Sequence, residues 1–341
     1  MKSIPSVRVS FVLSAITLAL LCACGGGGDG GGGSHFTGGS QSVTITPTNQ
    51  TPVARAAVAG GFAVAQTQTS GTSTAASLTT RAHAVQYAIG RALDVSTGLS
   101  TGRRTTASAS AHPAANGTAT VNCAAGGSFT TSFTDKDNNS ALSIGDVVTV
   151  TFTQCRDSST ESLSGTIAVS VTALTDADHF TATAAMQSLT VVENDLSSSI
   201  NGSVTLAEAN ATQESDTTIT VGSSGLAVAT SSSSYSDSIT FGNNTRIVTR
   251  DYATPAETTV TLDGTISSTA LGGGLTLATL LPVLQLDNAA YPSAGQVLVT
   301  GANKSALLMT VLNATQVQLQ LDADGDGKYE ATSSVAWSSL L

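Results

Sequence analysis

From Gly117 to the end of the chain, apolar and polar residues alternate with a period of two, and this alternation narrows the available folds more than any other feature. Val148, Val150 and Phe152 alternate with Thr149, Thr151 and Thr153; Ile167, Val169 and Val171 with Ala168, Ser170 and Thr172; Val317, Leu319 and Leu321 with Gln316, Gln318 and Gln320. Successive side chains of a strand point to opposite faces, so each run reads as a strand with one packed face and one wet face. Asn201-Gly202, Asn243-Asn244 and Asp263-Gly264 are turn signals that predict hairpins between such runs. The pattern predicts roughly ten to twelve strands, and an open twisted sheet of that size must curl, close or double over. The expected fold is mainly β: a large curved antiparallel sheet, open barrel or sandwich, with one or two N-terminal helices packed on it.

Ahead of the strands the period is helical. Residues 53–66 are rich in Ala and Val, and Leu78, Ala82, Val85, Ile89 and Leu93 recur at three- and four-residue steps, which predicts a helix over 75–94. The stretch 96–117, with Arg103-Arg104 and a run of Ser and Ala, reads as a loop.

At the N-terminus Lys2 and Arg8 precede an uncharged, mostly apolar run from Val9 to Ala23. Spanning a bilayer as a helix takes about twenty residues, so this shorter run reads as a cleaved export signal. Its end, Leu21-Cys22-Ala23-Cys24, resembles the lipobox of bacterial lipoproteins, with a bulky aliphatic residue three before an acylated cysteine and a small one just before it. Cys24 fits this pattern, whereas Cys22 would require a small residue where Leu21 stands. The resemblance implies that Cys24 is residue one of the mature protein and carries a diacylglycerol thioether and an amide-linked acyl chain of the palmitate type. Two or more chains hold a protein stably on a membrane. Gly25, where an Asp would signal inner-membrane retention in enteric bacteria, favours the outer membrane of a Gram-negative envelope. The glycine run 25–33, broken only by Asp29, reads as a tether, and some eighteen residues of such coil reach roughly 20 to 25 Å. The resulting organisation is signal peptide 1–23, lipidated cysteine and tether 24–42, helical and loop segment 43–116, and antiparallel β domain 117–341, with a possible subdivision at Gly272-Gly273-Gly274.

Composition excludes one class of partner. The chain carries a formal charge of −10, and losing Lys2 and Arg8 with the signal makes it −12, a surface unsuited to nucleic acid. Two cysteines remain, Cys123 and Cys155, and an even pair in an oxidising envelope reads most simply as a disulfide. Two buried free thiols are the alternative. A zinc site is disfavoured, because no further soft ligand stands near either cysteine.

Two acidic segments carry ligand chemistry. In Asp322-Ala323-Asp324-Gly325-Asp326-Gly327-Lys328-Tyr329-Glu330, carboxylates at alternate positions with glycine at the bend would let one segment wrap calcium, which takes six to eight oxygen ligands. Asp322, Asp324 and Asp326 stand at positions one, three and five, the Lys328 carbonyl at seven and Glu330 at nine. The segment is similar to calcium loops between strands of β-propeller receptors. The second runs from Asp135 to Asp146 and resembles the twelve-residue loop of EF-hands and dockerins, with Asp135, Asp137, Asn139, the Ala141 carbonyl, Ser143 and Asp146 at the ligand positions. Ser140 replaces the bend glycine, and Asp146 is shorter than the bidentate Glu of that family. Each segment also reads as an acidic turn held without metal, the second by a Cys123–Cys155 ring. Any calcium is expected to be structural.

No catalytic constellation emerges. Gly98-Leu99-Ser100-Thr101-Gly102 matches the serine-hydrolase pattern, but it follows a predicted helix where a nucleophile elbow follows a strand. His35, His83, His112 and His179 are scattered. The run from Gly126-Gly127-Ser128 through Gly145-Asp146 to Cys155 is similar to uncharacterised β-rich lipoproteins of Gram-negative bacteria, which import no activity. The expectation is a non-enzymatic, membrane-anchored structural or binding module with an unidentified protein or hydrophobic-ligand partner. The alternative is a carrier of lipid or another hydrophobic ligand, an analogy of architecture alone. Trp337 near the C-terminus is expected to anchor the core or an edge.

Overall fold

The computed structural model describes residues 41–61 and 116–340, apart from 140–142, 157–160, 177–178, 194–195, 212, 232–235 and 287–288. The predicted signal, Cys24, most of the tether, the helix over 75–94 and the 98–102 segment lie outside the described residues.

The described residues build one antiparallel sheet of fifteen strands. They are β1 (Thr118–Asn122), β2 (Ser128–Thr134), β3 (Val147–Cys155), β4 (Glu161–Asp176), β5 (His179–Glu193), β6 (Leu196–Asn210), β7 (Glu214–Ser231) and β8 (Ser236–Phe241). After these come β9 (Arg246–Ala253), β10 (Ala256–Ser268), β11 (Gly273–Leu286), β12 (Ala294–Thr300), β13 (Ala306–Asn313), β14 (Gln316–Asp322) and β15 (Ala331–Ala336). Every strand pairs with its neighbours in sequence except in the middle. There β8 and β9 lie end to end in one column: β7 pairs with β9 along its first half and with β8 along its second, and β10 does the same from the other side. The edges are β1 and β15, and the sheet runs unbroken past Gly272, which sits in the β10–β11 turn.

The alternation seen in the sequence becomes the two faces. Val148, Val150 and Phe152 on β3, Ile167 and Val169 on β4, and Val317, Leu319 and Leu321 on β14 are all buried in one continuous core. The opposite face of β1 to β4 is hydroxylic, with Thr120 bonded to Thr130 and Thr151 to Thr166 across neighbouring strands at 3.0 and 3.2 Å. Helix α1 (Gln50–Gly61) packs against β10, β13 and β14 through Val53, Ala54, Ala57 and Val58, one helical stripe whose small side chains permit close approach. Just before it, residues 41–45 are stitched to the sheet: Val43 N–H donates to Gly274 O and Ala302 N–H to Val43 O.

The long strands are bent along a line of bulges. On β5 the buried set changes from Ala182, Ala184 and Met186 to Leu189 and Val191, and on β7 from Ile219 and Val221 to Leu226 and Val228. Extra residues on these strands switch the parity, so apolar side chains stay inside on both sides of the bend. The facing strands supply glycine. A Cβ on Gly165 of β4 would stand 2.2 Å from Ser188 O, and one on Gly202 of β6 2.3 Å from Gly225 O, both at positive φ. The same line passes Asn244 and Gly264, and here the sequence expectation is corrected. Asn201-Gly202 lies inside β6, Asp263-Gly264 inside β10, and Asn243-Asn244 between the collinear β8 and β9, so none of the three makes a hairpin. A kink and a tight turn demand the same permissive backbone, and residues chosen for one resemble residues chosen for the other.

Candidate metal loops and a polar strip on the inner face

The segment from Asp322 to Glu330 connects β14 to β15, as expected of a loop between strands. Carboxylate oxygens of Asp322, Asp324, Asp326 and Glu330 all lie within 4.8 Å of one another. Asp322 is the buried base of the loop: its two oxygens accept from Gly325 N–H at 2.7 Å and Gly327 N–H at 2.9 Å. Gly325 has φ +79°, and a side chain there would meet Asn303 O, so the bend requires glycine. Asp324, Asp326 and Glu330 are exposed around this base. Glu330 accepts from Ala323 N–H at 2.8 Å and closes the mouth of the loop. Lys328 enters through its amide and its ammonium, both on Asp326, the latter at 2.6 Å. These contacts, the ammonium first, hold the Asp326 carboxyl below its ordinary range.

The second loop connects β2 to β3. Asp135 and Asp146 are buried, Asp137 is exposed, and one oxygen of each lies within 4.8 Å of the others. Here too the carboxylates serve the loop's own backbone. Asp146 accepts from Lys136 N–H at 2.9 Å, Ser143 N–H at 2.6 Å and Ser143 Oγ at 3.0 Å, while Asp135 and Asp137 both accept from Asn139 N–H at 3.2 Å. Asn139 turns its side-chain amide onto Asp137, and Ser143 Oγ also donates to Asp137. Ala141 falls outside the described residues. Cys123 and Cys155 are joined, with Cα atoms 5.4 Å apart. This corrects one expectation: the bond ties the β1–β2 turn to the end of β3, the far end of both strands from the acidic loop. Seven residues of β2, about 20 Å, separate the two, so the disulfide does not clasp the loop directly.

A third polar cluster escaped the sequence reading. On β6, β7, β9 and β10 the inner face changes from aliphatic to polar near one end of the sheet. The rung Leu206, Ile219, Ile247 and Leu262 gives way to Glu208, Thr217 and Thr249, then to Asn210, Ser215, Asp251 and Thr258, with Gln285 beyond on β11. Glu208 accepts from Thr217 Oγ1 at 2.8 Å, Asp251 accepts from Thr258 Oγ1, and Asn210 accepts from Ser215 Oγ. Burial pushes the Glu208 carboxyl up to about 7; the Thr217 hydrogen bond opposes this and the negative charge of Asp251 adds to it. The signal was present in Leu206-Ala207-Glu208: the alternation that buries Leu206 also turns Glu208 inward.

His179 is half exposed and bonded to Asp176 at 2.8 Å, and it pairs with Ala209, between Glu208 and Asn210 on β6. Trp337 is buried and stacks on Tyr291, with ring centroids 6.3 Å apart. Against known proteins, the chain matches no family model, no curated protein and no solved structure.

Proposed function

We propose that this chain is an envelope lipoprotein, anchored to the outer membrane through Cys24, whose β body is a non-enzymatic structural or binding module stiffened by calcium at the Asp322–Glu330 loop. The observation that carries the module reading over the carrier reading is the closure of the apolar face. Side chains such as Val150, Ile167, Leu189, Ile200, Leu226, Val260 and Val299 are fully withdrawn from solvent, whereas a carrier keeps part of such a face open for its cargo. The calcium reading is supported by the donor set. Four carboxylates around one glycine bend offer a hard cation oxygen ligands from a single short segment. The second loop is the weaker candidate, because it gathers three carboxylates where the first gathers four, and two of its three are buried.

Native mass spectrometry of residues 42–341 from the periplasm, before and after a calcium chelator, tests this reading. A bare polypeptide with calcium adducts that vanish on chelation is the expected result. A copurifying hydrophobic mass would replace the module with a carrier.

A further inference from the structure

The polar strip is a hole in the logic of the sheet. Its side chains sit on the apolar face, and two of its polar atoms, Thr249 Oγ1 and Gln285 Oε1, are closed from solvent without a hydrogen-bond partner. Thr249 is 1% exposed and Gln285 4%. A buried hydroxyl left unpaired has given up its water without replacement, a cost that a bound ligand removes. Thr249 stands directly across from Thr217, which is bonded to Glu208, and two residues before Asp251 on the same face. Thr249 therefore shares a rung with the Glu208–Thr217 pair and lies one rung from Asp251 on the inner face.

We propose that Glu208 and Asp251, with the hydroxyls of Thr217 and Thr249, form a half-buried site for a hard divalent cation of the calcium class, separate from both acidic loops. Three features support it. All four proposed ligands, Glu208, Asp251, Thr217 and Thr249, offer oxygen, the atom a hard cation selects. Two half-buried carboxylates match a divalent charge. The cationic side chains of β9, Arg246 and Arg250, alternate to the outer face, where Arg250 pairs with Asp216 at 3.2 Å. The geometry is also in range. In a flat sheet, residues two strands and two positions apart have Cα atoms about 12 Å apart, and bending toward the inner face brings their side chains closer.

The test is calcium stoichiometry of the full-length protein in detergent, by equilibrium dialysis at pH 8 followed by metal analysis. Glu208→Gln and Asp251→Asn should each bind one equivalent fewer than wild type, whereas Asp324→Asn should lose a different equivalent. Thr249→Val guards against a variant that simply unfolds. Without calcium it should melt at or above wild type, because an unpaired hydroxyl is gone. With calcium its affinity at this site should fall about tenfold or more, the range seen when groups supporting a metal are removed. Equal stoichiometry in wild type and Glu208→Gln, or unchanged calcium affinity in Thr249→Val, would overturn the proposal. If the loops bind nothing, wild type should still show the one equivalent that Glu208→Gln removes, so the two readings fail separately.

Discussion

The two edges of the sheet carry similar acidic loops but are secured by different means. At the β1 to β3 edge the chain is cross-linked by Cys123–Cys155, and the loop at the opposite end closes on Asp146, whose oxygens are taken by Lys136 and Ser143. At the β14–β15 edge no residue of β15 is fully buried. There the edge depends on contacts made beyond the strand: Trp337 inserts beside Tyr291, and Arg55 of α1 donates to Ser339 O at 2.9 Å. The Asp322 loop keeps three exposed carboxylates around one buried base. Both loops spend carboxylate oxygens on their own backbone amides, so what separates them is that the Asp322 loop gathers four carboxylates, three of them exposed, and the Asp135 loop three, two of them buried.

The largest effect should come from the unlinked edge. Trp337→Ala should lower stability by roughly 3 to 5 kcal/mol in denaturant unfolding, since a large side chain buried at an edge leaves a cavity. An unchanged midpoint would mean that the C-terminal edge is held elsewhere. Replacing Cys123 and Cys155 together by Ser should cost roughly 3 to 4 kcal/mol through the loop of about 33 residues that the bond closes. A smaller loss from the cysteines than from Asp146 alone would reverse the ranking at that edge.

Between the edges, Glu208 should dominate the pH response of the metal-free protein. Its folded value of about 7 lies above its ordinary 4.5, so the folded state holds the extra proton between these values. Its contribution is fully present below about 4.5 and declines as pH rises to about 7, by about 3 kcal/mol in all. Glu208→Gln should flatten that part of the stability profile, and an unchanged slope would place the carboxyl in contact with water.

Asp146→Ala should cost about 2 kcal/mol whether or not calcium is present, because it strips a buried acceptor from two backbone amides. Asp324→Asn is the smallest effect, under about 0.5 kcal/mol in chelator, as for an exposed side chain. It should abolish the rise in melting temperature that calcium gives the wild type. Equal calcium dependence in the two variants would remove the contrast between the edges.

Much of the fold was legible because burial on one face forces a period of two, and Val148 to Phe152 of β3, Ile167 to Val171 of β4 and Val317 to Leu321 of β14 follow it residue by residue. The bends were not legible. Asn201-Gly202 and Asp263-Gly264 have the chemistry of hairpin turns, and only the register of neighbouring strands reveals that the strand continues through them. The expected ten to twelve strands also fell short of the fifteen found among the described residues. The acidic loops stood out because local spacing alone brings their carboxylates together. Glu208 and Asp251 did not, because they are 43 positions apart in sequence and meet only through the pairing of β6, β7 and β9.

The most direct test of the proposed anchored module is intact mass analysis of the full-length protein, expressed in a Gram-negative host and recovered from its membrane fraction. The account predicts a chain beginning at Cys24 with the added mass of a diacylglycerol and an amide-linked acyl group, and its disappearance from the membrane in Cys24→Ala. An unacylated chain, or one that still begins at Met1, would contradict it.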